Sequence, residues 1–510
     1  MNIFTFSPFG YEGAIVSVET DLRRGIPAVD IVGLADFSVA EARERIRCAI
    51  KNQGMDFPSE RVLIALSPAD LKKEGTGFDL PLALSVLHAS DTEHTSKEVL
   101  VMGELELSGT VRCVRGIHAA VSSAIASGIK SCIVPKSNVP EASIPGMTVY
   151  GVETLTEAYL ILRGLETDDK DTLALYHYEV EESDKNFVKI NGVEFPKLEE
   201  VPEFAPVNSK GLEALTVAIT GHHSFLFVGA PGCGKTMLTQ YAEYLMPCNT
   251  VEESQSVTRI HSLAGLLKPN EGLIRKKPFR MPHQTASVEG ICGGGPNCRP
   301  GEISLAHNGL LFLDEAAEFR SSVLQLLRVP LESNSVTLSR AGRSTTYPAH
   351  FQLALTTNPC PCGNYGVGNK ICLCSARSID MYWKKFSAPL LDRVPIRVLF
   401  EDDAQKSNFD VYQLREMISV GVDRQRERGF YNEDATPEQV QTLLSNCAQH
   451  IRDYMDKISE KHDLSARRRA SLVKLSQTIA DIWYDGNVMY ECVDTAIGMM
   501  TIKGMDIVGL

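Results

Sequence analysis

The chain has 510 residues, 44% of them hydrophobic and 23% charged, with a formal net charge of −13 at pH 7. That length exceeds what one core supports and implies about three domains; the acidic balance argues against a general nucleic-acid coat but leaves room for a local basic channel. No apolar run reaches bilayer-spanning length, and the opening residues lack a charged segment followed by an apolar one, so no membrane partner is expected and the protein reads as cytoplasmic. Thirteen scattered cysteines, an odd number, predict reduced thiols rather than a disulfide framework.

In chain order, residues 1–165 alternate short β-rich runs with helical ones. Strands are predicted at 14–19, 62–66, 99–107 and 132–135, and helices at 38–53, 80–89 and 117–127, where apolar residues recur at helical spacing. The unit is α/β and carries no phosphate-binding glycine loop. Residues 166–203 turn acidic and lose periodicity, as in a solvated linker, with Asp168, Asp169, Asp171, Glu179, Glu181, Glu182 and Asp184 close together. A nucleotide-binding unit is predicted over 204–400, and 401–510 is mostly helical by period.

The chemistry is concentrated in the third segment. Gly229-Ala-Pro-Gly-Cys-Gly-Lys-Thr236 follows the apolar run Phe225-Leu-Phe-Val228 and fits GxxxxGK[ST]. Gly229, Gly232 and Gly234 let the backbone aim N–H groups at phosphate oxygens, at the positive end of a helix starting near Lys235. Lys235 would neutralise the β- and γ-phosphates of ATP, Thr236 would ligate Mg2+, and Met237 follows directly in the candidate nucleotide contact. Downstream, Gly309-Leu-Leu-Phe-Leu-Asp-Glu315 is an apolar strand ending in two carboxylates. Asp314 would hold the metal and Glu315 would position or deprotonate the attacking water.

Three further segments, Arg299-Pro-Gly-Glu-Ile-Ser-Leu-Ala-His-Asn-Gly309, Thr357-Asn-Pro-Cys-Pro-Cys-Gly363 and Pro389-Leu-Leu-Asp-Arg393, resemble the magnesium-chelatase-like AAA+ ATPases of the ComM/YifB family. Two N-terminal motifs, Gly25 to Ala35 and Leu71 to Pro81, point the same way. The resemblance implies a homo-oligomeric ring, a hexamer, whose relatives drive branch migration of DNA in natural transformation. It places Asn358 at sensor 1, Arg393 as the arginine finger offered to a neighbouring subunit, and Arg467 at sensor 2; an amide can orient the lytic water and guanidinium groups can stabilise phosphoryl charge. It implies an α/β multidomain architecture: an S5 domain 2-type, Lon-like domain over 1–165, an acidic linker over 166–203, an AAA+ core over 204–400 and a helical lid over 401–510.

The chain departs from that family's pattern at three places. Phe204-Ala-Pro-Val-Asn-Ser-Lys-Gly211 replaces the usual entry to the nucleotide domain, which leaves the adenine contacts open. A paired histidine is reduced to His283-Gln284, so no role is carried over to the second position. The Lon-type serine and lysine are absent: Thr76 occupies the glycine turn and His118 the lysine's place, so no peptidase activity is expected.

Two basic segments stand inside the ATPase unit. Arg275 to Arg280 falls in what resembles the helix 2 insert, and Arg340 and Arg343 fall at a hairpin before sensor 1. In a ring, Arg280, Arg340 and Arg343 would face the pore and contact DNA phosphates without sequence choice; the other reading is ordinary exposed arginines. Cys360, Cys362, Cys372 and Cys374 form two C-x-C pairs that can converge on Zn2+, against the alternative of reduced structural thiols. Together these features read as an ATP-driven ring motor on single-stranded or branched DNA. The rival is an ATPase subunit remodelling a porphyrin metal-chelatase partner.

Overall fold

A computed structural model of the chain describes residues 2–502 apart from 35–36, 70, 72, 74, 91–96, 179–185, 200–204, 341–342, 367–370 and 402–405. The N-terminal segment builds a seven-stranded mixed sheet in the spatial order Val29–Val32, Arg61–Ser67, Ala14–Arg23, Asn2–Ser7, Glu98–Val101, Ser131–Pro135, Thr148–Val152. Alternation sets its faces: Val62, Ile64 and Leu66 are buried while the residues between them are partly open. Helix Asp79–Ala89, apolar on all sides, is buried almost throughout. The run predicted as one strand over 99–107 breaks at Met102-Gly103, since a Cβ on Gly103 would lie 2.9 Å from Leu80 and 3.0 Å from Val111. Glu104–Leu105 then pairs with Val111–Arg112.

The acidic stretch is not a bare linker. Helix Leu155–Thr167 runs into it, and Asp169 caps the next helix, Lys170–Tyr176, by accepting from the N–H groups of Asp171 and Thr172. Asp168 takes the Lys97 ammonium at 2.5 Å. The hairpin Phe187–Ile190 with Val193–Pro196 follows, and Val193 and Phe195 are wholly buried in the core of the nucleotide-binding unit. Charge density hid these elements because the acids serve as caps and ion-pair partners rather than as solvated repulsive groups. Glu179, Glu181, Glu182 and Asp184 lie outside the described residues.

The second large sheet is all parallel, in the order Phe279–Arg280, Leu310–Leu313, Gln352–Thr357, Phe225–Gly229, Ile396–Phe400. Its central strands are continuous apolar runs because both faces are covered. Phe225, Phe227, Phe312 and Ala354 face one core, shared with the C-terminal helices Val411–Arg428 and Ala466–Trp483 through residues such as Ile418 and Leu475. The alternate residues Leu226, Val228, Leu311, Leu313, Leu353 and Leu355 face a second core closed by Phe319, Leu324, Trp383 and Phe386. Truncating a ring such as Phe227 to Ala would cost about 3–5 kcal/mol. The result is the expected α/β multidomain class: a P-loop sheet, an N-terminal α/β unit and a C-terminal helical unit.

The N-terminal and nucleotide-binding units touch closely. Arg259, on helix Val251–Ala264, donates to the carbonyls of Tyr11 (3.0 Å) and Glu12 (3.2 Å) and sits over the Tyr11 ring. Tyr11 N–H donates to Thr345 Oγ1 at 2.9 Å, in the hairpin formed by Ser335–Arg340 and Arg343–Pro348, and its ring meets Tyr347 edge-on. Ser262 Oγ donates to the buried Glu141 at 2.5 Å. Among the described residues, no helix is long and apolar enough to cross a membrane.

Candidate nucleotide site

The glycine loop leaves the sheet at Gly229 and turns into helix Lys235–Leu245. Gly232 and Gly234 have φ of +81° and +90°, a left-handed backbone that a side chain disfavours, and Gly234 is the residue before the helix. Strand register does the rest. Val228 pairs with Thr357 and Leu313 with Leu355, so the next residues, Gly229, Asn358, Asp314 and Thr356, leave adjacent strands at one end of the sheet.

There the predicted residues meet. Lys235 Nζ, buried, donates to the carbonyls of Gly229 (2.7 Å) and Ala230 (2.9 Å) and to Asn358 Oδ1 (3.4 Å). All three acceptors are neutral, and among the described residues no carboxylate pairs with Lys235, so a buried positive charge is left for an anion. Thr236 Oγ1 donates to Asp314 Oδ1 at 2.8 Å, so the two oxygens that would share a magnesium ion already adjoin. Glu315 is exposed, with φ of +50°, a conformation costing about 1–3 kcal/mol that marks functional positions.

Three residues at the site were not singled out from sequence. Thr356 donates its hydroxyl to Asp314 Oδ1 at 2.5 Å and accepts from the Glu315 N–H at 3.0 Å, fixing both carboxylate-bearing residues. Gln284 Nε2 donates to Glu315 Oε2 at 2.7 Å, so the position given no role touches the candidate base directly. Thr356 was foreseeable from its place before Asn358, whereas Gln284 is brought in from a remote loop. The third is Glu332, described below.

Two cavities adjoin the nucleotide-binding unit. One, of about 410 Å3, is lined by Ala205 to Asn208, by Gly232, Gly234 and Met237 of the glycine loop, and by Glu401 and Lys406. The divergent entry segment thus forms one wall beside the P-loop. Arg393 and Arg467 are not there. They line a separate cavity of about 280 Å3 that holds no P-loop residue. Both reach Glu332: Arg393 through a short ion pair, with its other nitrogen donating to Pro389 O at 2.5 Å, and Arg467 at 3.7 Å. Arg393 and then Arg467 hold the Glu332 carboxyl below the usual carboxylate range.

The four loop cysteines converge: Cys360 Sγ lies 3.4 Å from Cys362 and 3.7 Å from Cys372, and all four sulfurs fall within 4.8 Å of one another. All thirteen cysteines are free, as expected.

The basic segments fare differently. Arg280 is bidentate to Glu302 at 2.7 and 2.8 Å, Arg275 pairs with Glu194, Lys276 pairs with Glu243, and Lys277 is buried. One fork of the Arg280 guanidinium is thus filled by a carboxylate at the sheet edge. Arg340 is exposed near the hairpin tip, opposite Arg343, whose side chain lies outside the described ones. The side chain of Thr76 is also outside them. His118 is not on a helix surface but 1% exposed, with neither ring nitrogen hydrogen-bonded and its pKa lowered to about 3 by burial and the charge of Arg259.

A glycine loop feeding Lys235 and Thr236, a neighbouring strand ending in Asp314-Glu315 and a polar Asn358 on the strand between them define a P-loop NTPase of the AAA+ class. The family model described as magnesium chelatase, subunit ChlI, matches residues 205–408; that of subunit ChlI of Mg-chelatase matches 18–138, and that of the ChlI C-terminal part matches 410–500. Competence protein ComM of Haemophilus influenzae is 34% identical over 510 residues, covering 97% of this chain and 96% of its own. An uncharacterized protein of Mycobacterium tuberculosis is 40% identical, covering 78% of this chain and 76% of its own, and YifB of Escherichia coli is 37% identical, covering 77% and 74%. The chain belongs to the ComM/YifB family of magnesium-chelatase-like AAA+ proteins.

Proposed function

We propose that the chain hydrolyses ATP as a subunit of a homohexameric ring and acts on single-stranded or branched DNA, promoting branch migration in recombination and natural transformation. The observation that carries the ATPase reading is the convergence of Lys235, Thr236, Asp314 and Asn358 at one sheet end, with Glu315 alongside. Lys235 and the glycine loop would hold the ATP phosphates; Thr236 and Asp314 would hold Mg2+, which supplies charge neutralisation. Glu315 would take the proton of the attacking water.

The DNA reading is supported by two relatives. One is named a competence protein and matches almost end to end; the other, DNA repair protein RadA of Escherichia coli, is 28% identical over 150 residues, 27% of this chain and 32% of its own. The deciding measurement is the ATPase rate with and without forked DNA. Stimulation supports the reading, and an unchanged rate with no binding removes the DNA part while leaving the ATPase part. A porphyrin metal-insertion partner is the second reading, favoured by the chelatase description of all three family models. The full-length match to ComM weighs against it.

Arg280, Arg340 and Arg343 are the proposed DNA contacts, and the exposed hairpin offers the cleaner test because Arg280 also pairs with Glu302. Replacing Arg340 and Arg343 by Ala should spare basal ATPase activity, abolish DNA stimulation and reduce the salt slope of binding by about 0.7–0.9 per lost phosphate contact. A double variant that unwinds branched DNA as well as the parent would place the DNA path elsewhere.

We further propose that Cys360, Cys362, Cys372 and Cys374 hold one Zn2+ per chain, tying the loop after Asn358. Metal analysis of protein purified without added metal should find a zinc content that falls by about one per chain on Cys-to-Ser replacement. Less than roughly a tenth of a zinc per chain, with folding unchanged, leaves reduced thiols.

A further inference from the structure

The cavity that carries Arg393 and Arg467 also contains a group of side chains that ATP hydrolysis does not use. His222, at the C-terminal end of helix Ser209–Gly221, His350, just ahead of strand Gln352–Thr357, and Asp434, in the turn after helix Val411–Arg428, all line it. One donor atom from each lies within 4.8 Å of the others. We propose that His222, His350 and Asp434 form a divalent-metal site, distinct from the cysteine cluster, that clamps the C-terminal helical unit to the lower edge of the P-loop sheet.

The chemistry of the three groups supports this. Two imidazoles and one carboxylate are the donor set of borderline ions such as Zn2+, Co2+ or Fe2+. His350 Nδ1 lies 3.2 Å from Asn308 Oδ1, an acceptor that fixes the proton on Nδ1 and leaves Nε2 as the lone-pair nitrogen. That Nε2 lies 2.8 Å from Asp434 Oδ1. The imidazole and the carboxylate thus already adjoin, as two ligands of one ion would. His222 stacks on Tyr431 with ring centres 3.7 Å apart, which orients its ring, and among the described contacts no protein group bonds its nitrogens.

Other charges bear on the site. Lys277, 3% exposed, lines the same cavity and opposes a cation there, but among the described residues it donates to Asn308 O alone, at 3.3 Å, and burial lowers its hold on its proton. Glu253 and Asp434 act in the opposite sense on Lys277, and Arg426 adds to the positive side.

The test uses full-length, chelator-treated protein titrated anaerobically with Co2+. One ion should show only the weak visible bands of nitrogen and oxygen ligation, separate from any ion bearing strong thiolate-to-cobalt charge-transfer absorption. His350→Gln should remove the first and leave the second, and Asn308→Ala should weaken the first about 10–100-fold. Because His350 sits in a buried network, His222→Gln, which breaks no hydrogen bond, is the companion variant and should lose the same bands with an unchanged far-UV spectrum. An ion with nitrogen and oxygen bands alone sustains this site and removes the cysteine site. Cobalt seen only in thiolate bands overturns the proposal. So does a rise in melting temperature with inorganic phosphate that survives Lys235→Ala but not Lys277→Gln, which would make the pocket an anion site.

Discussion

Lys235→Ala should lose nucleotide binding, whereas Glu315→Gln should bind ATP and retain it unhydrolysed in an assembled ring. The two differ because the residues sit on different sides of the chemistry. Lys235 is a buried cation whose partners are two carbonyls and an amide oxygen, so its charge is available to phosphate before any bond breaks. Glu315 accepts from Gln284 on one carboxylate oxygen and donates its backbone N–H to the Thr356 hydroxyl, leaving the other carboxylate oxygen to act on water. Removing a general base costs about 10²–10⁴-fold in turnover while leaving ground-state contacts intact. Calorimetric ATP titration and phosphate release on each variant decide it. Unchanged affinity in Lys235→Ala, or parental turnover in Glu315→Gln, would show that the roles are misassigned.

Arg393→Ala should lower turnover by about 10³–10⁵-fold, the range for an arginine finger, and subunits with an intact finger but a dead P-loop should restore part of it. The separation of the two cavities motivates this. Within its own chain Arg393 lies with Arg467 and Glu332 in a cavity without any P-loop residue, so its natural target is a nucleotide on another subunit. Mixing Arg393→Ala with Lys235→Ala subunits pairs each intact P-loop with an intact finger from a neighbour. Mixed rings, verified by differential labelling, that recover no turnover would exclude a finger acting between subunits.

Much of the candidate site was legible because its parts are local in sequence: a strand, a glycine turn, a helix start and a strand ending in two carboxylates each leave a contiguous signature. Their convergence follows from parallel register alone. What could not be read depends on long-range contacts. Gln284 reaches Glu315 from a loop with no periodic signal, and Glu332 gathers two arginines 61 and 135 positions away in sequence. The Arg280–Glu302 pair is likewise long-range in origin, since a basic run gives no hint that a carboxylate will fill one of its guanidinium forks. In the fold, acidic composition masked helix Lys170–Tyr176 and the hairpin after it, because an aspartate acting as a cap is indistinguishable by composition from one in water.

The contact between the first loop of the chain and the hairpin at Thr345 sets the mechanics of the particle. A Cβ on Gly10 would lie 2.1 Å from Thr345 Oγ1, so the loop backbone rests directly on the Thr345 side chain, and Arg259 also holds Tyr11 through its carbonyl. The hairpin is therefore braced along its length: Thr345, paired with Leu338, meets the loop two rungs short of the Arg340–Arg343 pair, and Tyr347, nearer the base, meets the Tyr11 ring. The first strand of the N-terminal sheet begins at Asn2 and ends at Ser7, directly before that loop. A shift of the hairpin thus pulls on the loop that continues directly from that strand.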